Sequence, residues 1–332
     1  MRIVSKAPCR VDMAGGTLDI WPLYLFHANP VTINFAVTRY ASCVIETRDD
    51  ARVVMRSRDM EREESFESLD ALRAAKTYRL PLLAHLIKFF APETGFDIST
   101  DSESPTGAGI AGSSTLIIAV SSALNCLTKR GHSLEKRREI SQNIEAQIIR
   151  VPTGAQDYYP AMYGGVCAIE LRESGIERHG VNVDPEDLNE RFVLAYTGLP
   201  RNSGINNWEV MKAHIDGDAQ VHRNFDHIAA IACGMRAALE RHDWPEVARL
   251  LREEWTSRKK NAPGITTPLI DDLVEAARQA GCVGAKACGA GGGGCVLFLV
   301  ERGAKERVAG VIRNGGARVL DARVAPRGVE VA

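Results

Sequence analysis

The chain has 332 residues, 45% of them apolar and 25% charged, and 41 Lys and Arg balance 42 Asp and Glu for a net charge of -1. This composition excludes disordered, collagenous and coiled-coil classes, and the charge balance supplies no global basic field to attract nucleic acid or an anionic membrane. The length predicts about two domains, because single cores stop growing near roughly 250–300 residues, and no apolar run approaches the roughly 18–20 residues of a membrane helix.

Residues 1–8 alternate like a strand and carry no apolar segment of the kind found in secretion signals. Strand-like runs cover Arg2–Ser5, Val31–Thr38 and Ser42–Glu46, separated by Gly and Pro. Residues 51–79 are rich in charge and read as one strand plus a variable connection. Pro81–Phe90 reads as a helix and Gly95–Thr100 as a strand. A loop from Ser104 to Ser114 leads into a helix over Thr115–Lys129, closed by Gly131. Leu116, Ile117, Ile118, Val120, Ala123, Leu124 and Leu127 make that helix apolar on most sides, which predicts burial.

Ser133 caps the next helix, whose stripe of Ile140, Ile144 and Ile148 ends before Pro152. The loop 152–157 follows. A new section opens near residue 190 with the strand Phe192–Tyr196. Helices are expected over 226–241 and 245–259, the second with a capping box from Asp243 to Glu246. Thr267-Pro268 starts another helix, which Gly281 ends. Strands Val283–Ala287 and Val296–Val300 flank the glycine run Gly289–Gly294.

The eight cysteines form no CxxC pair, which argues against a zinc ribbon or a redox motif. Most have apolar neighbours, Cys43 and Cys126 among them, and read as small core residues of a cytoplasmic protein with reduced thiols. His222 and His227 lie five apart, do not share one helix face and read as surface or capping residues.

Two segments satisfy G-x-G-x-x-G: Gly107, Gly109 and Gly112, and again Gly289, Gly291 and Gly294. A dinucleotide fold does not fit, because the position about 20 residues past the first loop, where a ribose-binding acid belongs, is the Gly131-His132 turn. Gly107 to Ser114 also nearly matches a Walker A loop but lacks its lysine. What the segment keeps is the physics common to both: glycines let the backbone close on an anion at the positive end of a buried helix. A simple N-cap at Ser113 or Ser114 would need far less glycine.

Three segments in order together resemble the motifs of the GHMP kinases. They are Ala7 to Asp19, Pro105 to Thr115, and Lys286 to Cys295. Within that family the resemblance is to the sugar-kinase branch, the heptose 7-phosphate kinases in particular. It extends to Gly154-Ala155-Gln156-Asp157, Gly164-Gly165 and Leu194 to Arg201. The resemblance implies an α+β fold of two domains, an N-terminal ATP-binding domain over 1–190 and a C-terminal α/β domain over 191–332. It implies ATP and Mg²⁺ as cofactors and a sugar or sugar phosphate as acceptor, with no nucleic-acid or membrane partner, and leaves a homodimer open.

Carried over residue by residue, the resemblance makes Asp157 the catalytic aspartate and Arg10 the cation near the transferred phosphoryl group. Gly107, Gly109, Ile110, Ala111, Gly112, Ser113 and Ser114 would bind nucleotide, and Ser113 and Glu145 would hold Mg²⁺. Asp19, Gly16, Thr17, Gly291 and Gly292 would bind the acceptor, and Arg201 would meet an acceptor phosphate. Glu145 lies on the flank of the isoleucine stripe, where it can reach the edge of a site.

Three places depart from the family pattern. Gly112 replaces the first serine of the second motif, Ala155 replaces a lysine common in heptose kinases, and Gly16-Thr17 replace the Glu-His of galactokinases. A kinase of a free sugar (fucose, galactose or an N-acetylhexosamine) and a binding-only relative are the alternatives. Retention of Arg10, Ser113, Glu145 and Asp157 together argues against the second.

Overall fold

Strand β1 (Arg2–Ala14) runs well past Ser5. Pro8 interrupts the alternation in sequence, but a register shift between Pro8 and Cys9 accommodates it, as a bulge does for a proline in a strand. In this computed structural model the described residues are 1–200 and 203–332, and the side chains of 203–207 lie outside the description. After a 3₁₀ turn (Leu23–Phe26), β2 (Val31–Thr47) fuses two runs that read separately in sequence. Its first half pairs with one neighbour and its second half with another, so no break is needed between them.

Residues 51–79 hold more than one strand: the hairpin β3 (Val53–Ser57) and β4 (Arg62–Phe66), then α1 (Leu69–Ala74). Helix α2 (Pro81–Phe90) and strand β5 (Phe96–Ser102) follow the sequence pattern closely. Helix α3 (Gly112–Leu127) begins three residues before Thr115, because Ala111 in the left-handed conformation turns the chain straight into it. Ser133 caps α4 (Leu134–Ile149), its side chain accepting from the Lys136 N–H.

Next come α5 (Tyr158–Tyr163), β6 (Val166–Arg172), β7 (Gly175–Gly180), α6 (Pro185–Arg191) and β8 (Phe192–Tyr196). Helix α7 (Ser203–Ile215) precedes α8 (Ala219–Glu240), which starts seven residues before the expected 226 because Asp218 caps it. Asp243 and Thr267 likewise cap α9 (Trp244–Arg258) and α10 (Pro268–Gln279). The chain ends with β9 (Cys282–Ala287), β10 (Cys295–Val300), α11 (Lys305–Asn314), β11 (Arg318–Leu320) and β12 (Glu330–Val331).

The larger sheet runs β12-β1-β2-β5-β3-β4, with β6 and β7 added on the first half of β2. The smaller, antiparallel sheet runs β11-β8-β10-β9. Helices α2 to α5 cover one face of the larger sheet through Ile87, Ile117, Val120 and Tyr158. Its other face, through Val11, Ile33 and Phe35, shares a core with β8, α8 and α9. Helices α10 and α11 cover the far face of the smaller sheet. Residues 190 and 191 end α6, from which the chain passes directly into β8 of the smaller sheet, and β12 returns to the larger one.

Two side-chain expectations change. Cys126 is exposed, not core, because it lies on the outward side of α3; Cys9, Cys43, Cys167, Cys282, Cys288 and Cys295 are buried. His227 is exposed, but His222 meets His27 and His214 in a largely buried cluster. Burial first, then the neighbouring His222 and His27, pushes His214 down to about 4. These rings come from positions far apart in the chain, so no local spacing announces them.

Deep between the two sheets Asp12 of β1 meets Lys286 of β9, Nζ to Oδ2 at 2.6 Å. Lys286 also donates to Glu254 of α9 at 3.2 Å, and the Gly289 N–H donates to the second Asp12 oxygen at 2.8 Å. All three charged side chains have no exposed surface. Burial alone would raise the Asp12 carboxyl, but Lys286 and then Arg10 outweigh it and hold it well below the usual carboxylate range. A lowered carboxyl pKa contributes stability that is present above about pH 4 and is lost as pH falls below it. Lys286→Met would strand Asp12 and Glu254 as buried charges. The expected loss is about 3–5 kcal/mol, read as a lower urea midpoint at pH 7, and an unchanged midpoint would show that the clamp is not structural.

Candidate active site

A cavity of about 410 Å³ opens where the larger sheet, α3, α4 and the loops of both sheets converge. All three glycine-bearing segments contribute to its wall. Gly107 (φ 68°) and Ala111 (φ 62°) take left-handed backbone, so the segment 107–111 coils tightly before α3. No side chain caps α3. Its first-turn N–H groups and the positive end of the helix dipole therefore remain available to an anion in the cavity.

Ser113 and Ser114 are engaged elsewhere. Ser113 Oγ donates to Glu145 Oε1 at 2.8 Å, and Ser114 Oγ donates to Glu145 Oε2 at 3.0 Å. The Tyr158 hydroxyl donates to the same carboxylate. Burial raises the Glu145 carboxyl, while hydrogen bonds from Tyr158 and Ser113 pull it down. Gly112, which replaces a family serine, has its own cause here. A Cβ would sit 2.9 Å from Ser104 Oγ, and Ser104 itself lines the cavity, bringing a hydroxyl to that wall.

Arg10 is buried beneath the loop. Its Nη1 donates to the Gly109 carbonyl at 2.7 Å, and Nε and Nη2 donate to Asp157 Oδ1 at 3.0 and 2.5 Å. Burial works against the guanidinium charge, but Asp157 and Asp12 outweigh it, so Arg10 stays cationic. Asp157 occupies the N-cap position of α5, yet its side chain makes no cap bond; its Oδ1 is held by Arg10. Arg10 thus ties the glycine loop to the carboxylate.

Asp19 is buried at the cavity wall and accepts from the Gln156 N–H at 2.8 Å. Burial, then the nearby Asp157, pushes its carboxyl up to about 6. Thr17, with φ 76°, presents its hydroxyl to Arg258 at 3.0 Å. Gly16 backs this contact: a Cβ there would come within 2.5 Å of Arg258 Nη1.

In the third segment Gly289 and Ala290 line the cavity. Gly291 and Gly292, expected against the acceptor, instead turn onto Ile265. The Gly292 N–H donates to its carbonyl at 2.7 Å, and a Cβ on Gly291 would come within 2.4 Å of that oxygen. Ile110 faces the core and lends its carbonyl to the Arg10 N–H. Arg201 lies outside the described residues.

Sequence reading left unassigned Asp12, Lys286, Glu254, Arg258, Tyr158 and Gln156. Arg258, which opens the run Arg258-Lys259-Lys260, is buried and also donates to the Gly289 carbonyl at 2.7 Å. Asp12 and Lys286 stand inside the resembling motifs, and their pairing across the chain was the missing signal.

Comparison with known proteins places this arrangement. The family descriptions "GHMP kinases N terminal domain" and "GHMP kinases C terminal" match residues 73–165 and 235–318, together more than half of the chain. The chain belongs to the GHMP kinase family, and it is an ATP-dependent phosphotransferase.

It is 25% identical to the D-glycero-alpha-D-manno-heptose 7-phosphate kinase of Campylobacter jejuni, over 99% of this chain and 98% of that one. It is also 25% identical to a galactokinase of Roseiflexus, over 92% of this chain and 85% of that one. Its fold matches the crystal structure of a D-glycero-D-manno-heptose 1-phosphate kinase from Bacteroides thetaiotaomicron, with a TM-score of 0.79 and 22% identity over 99% of this chain and 98% of that one. Among the described residues no helix is long and apolar enough to cross a membrane.

The Asp19 wall gives a direct test. A Cβ on Gly154 would fall 1.9 Å from Asp19 Oδ2, so Gly154→Ala displaces that carboxylate. The expected outcome is a rise of at least about tenfold in acceptor KM with the KM for ATP little changed. An unaltered acceptor KM would remove Asp19 from the acceptor site.

Proposed function

We propose that this kinase transfers the terminal phosphoryl group of ATP to a hydroxyl of a sugar or sugar phosphate, with D-glycero-D-manno-heptose 7-phosphate the first candidate. In this reading residues 1–190 form the nucleotide-binding half, 191–332 form the second half, and the protein works in the cytoplasm. The observation that carries it is the Gly109–Arg10–Asp157 chain, which joins an anion-binding helix start to a carboxylate at the cavity wall.

The loop 107–114 holds the ATP phosphates with backbone N–H groups. Ser113 Oγ and the Glu145 carboxylate, 2.8 Å apart, are hard oxygen donors at the cavity. The described partners of Glu145 are neutral hydroxyls, and burial disfavours its charge, so a small divalent cation fits this pair. Mg²⁺ there would neutralise charge on the phosphate oxygens.

Asp157 Oδ1 is held by Arg10, and we assign Oδ2 to the acceptor hydroxyl. As that oxygen attacks the γ-phosphorus its proton passes to Asp157, the bond to the β,γ-bridging oxygen breaks, and ADP leaves. Arg10, cationic and shielded from water, stabilises the charge that develops. Asp19 accepts hydrogen bonds from acceptor hydroxyls next to the reacting one. Support for a heptose phosphate comes from the near full-length similarity to the Campylobacter enzyme.

A panel of free sugars and sugar phosphates with ATP and Mg²⁺, read by ADP release, tests the proposal. Turnover is expected with a heptose phosphate; turnover of free hexoses alone would replace the acceptor, and none at all would leave a binding protein. Asp157→Ala should lower kcat by roughly 10²–10⁴-fold while ATP still binds.

The pH profile follows from Asp19, which accepts hydrogen bonds best when ionised. With its carboxyl at about 6, kcat/KM should fall as pH drops through about 6, and Asp19→Asn should lack that limb. Persistence of the limb in the variant would assign it to another group.

A further inference from the structure

We propose that His27, His214 and His222 form a binding site for one divalent transition-metal ion of the Zn²⁺ class, with Asp226 orienting the first ligand. The residues come from three elements: the end of the 3₁₀ turn that follows Asp19, the last turn of α7 and the first turn of α8. Each offers a ring nitrogen, and the three nitrogens lie within 4.8 Å of one another. His27 and His214 are buried, and His222 is partly so.

Hydrogen bonds fix where the lone pairs stand. Asp226 Oδ1 lies 2.7 Å from His27 Nδ1 and holds that nitrogen as the N–H, which leaves the lone pair on Nε2. That Nε2 faces His214 Nε2 at 2.8 Å. A contact of that length between two imidazole nitrogens is held either by one N–H hydrogen shared between them or by a metal ion in its place. The His214 carbonyl, 2.9 Å from His222 Nε2, takes the N–H of the third ring and frees its other nitrogen. A carboxylate or backbone carbonyl behind a histidine is the outer support that metal-bound imidazoles use.

Three neutral nitrogen donors select a borderline ion over Mg²⁺ or Ca²⁺, which require oxygen. An ion about 2.0–2.1 Å from each nitrogen holds two of them about 3.3 Å apart, so the His27 and His214 nitrogens must separate by about half an ångström, and the His222 ring, with its centroid 3.8 Å from that of His214, must turn to bring its free nitrogen to the ion. Phe26 and Phe225 wall the cluster, with ring centroids 5.5 and 5.6 Å from His214. Phe225 is buried while Phe26 is exposed, so the cluster is shielded from solvent on its Phe225 side. A bound ion would tie α7 and α8 to the segment that carries Asp19, apart from the Ser113–Glu145 pair.

The test uses the full chain, stripped with a chelator and returned to millimolar Mg²⁺ so that the oxygen site is occupied. Zn²⁺ is titrated by calorimetry, and Co²⁺ by its visible absorption. The expected result is a single Zn²⁺ per chain, an increase in Tm on binding, and intense Co²⁺ bands of low coordination number.

Asp226→Asn should weaken Zn²⁺ binding about 10–100-fold. Because that side chain is 65% exposed, the substitution leaves the core intact. His222→Gln should weaken binding by more than about 100-fold, with circular dichroism confirming the fold. Absence of stoichiometric binding would overturn the site in favour of a shared proton. Binding equal in wild type, Asp226→Asn and His222→Gln would overturn it in favour of another location.

Discussion

The Asp12–Lys286 pair is the constraint on which the rest of the molecule depends. It joins the first strand of the larger sheet to an edge strand of the smaller one, and both side chains are fully buried. Charges out of water are tolerated only when each finds a partner, so the position of one sheet sets that of the other. Glu254 and the Gly289 N–H complete the pairing and bring α9 and the third glycine segment into place. The cavity lies directly over this junction, and its walls come from both sheets because the junction brings them together.

Arg10 extends the same network to the surface of the cavity. It lies 3.6 Å from Asp12 on one side and bonds Asp157 and the Gly109 carbonyl on the other. A buried guanidinium with these anionic partners stays charged, and a water-poor wall strengthens the effect of that charge on an anion in the cavity. The two carboxyls pushed upward, Asp19 and Glu145, lie near enough to Asp157 to feel its charge, and burial is the leading cause of both shifts. One cavity therefore offers a fixed cation, a helix start and the carboxylates of Asp19, Glu145 and Asp157.

The glycines divide by what stands against them. Gly154 and Gly112 are small because Asp19 and Ser104 occupy the space a Cβ would need. Gly294 is small because the Ala108 backbone presses on it, while the Cys295 N–H donates to the Ala108 carbonyl at 2.6 Å. The third segment thus braces the glycine loop from behind, while its Gly289 and Ala290 line the cavity. Gly291 and Gly292 turn instead onto the Ile265 carbonyl.

The sequence by itself determined what local physics controls. Capping residues at Ser133, Asp243 and Thr267, the isoleucine stripe of α4 and the glycine density of 107–112 are readable because each acts within a few residues. Resemblance across three motifs then pointed to Arg10, Ser113, Glu145 and Asp157, which the fold brings to one cavity. Tertiary structure alone decided the pairings made across the chain. Asp12 and Lys286 are 274 residues apart, His27 and His214 are 187 apart, and Arg258 is buried although it opens a basic run. A buried charge or imidazole carries no local signature; its meaning is set by the partner that folding places beside it.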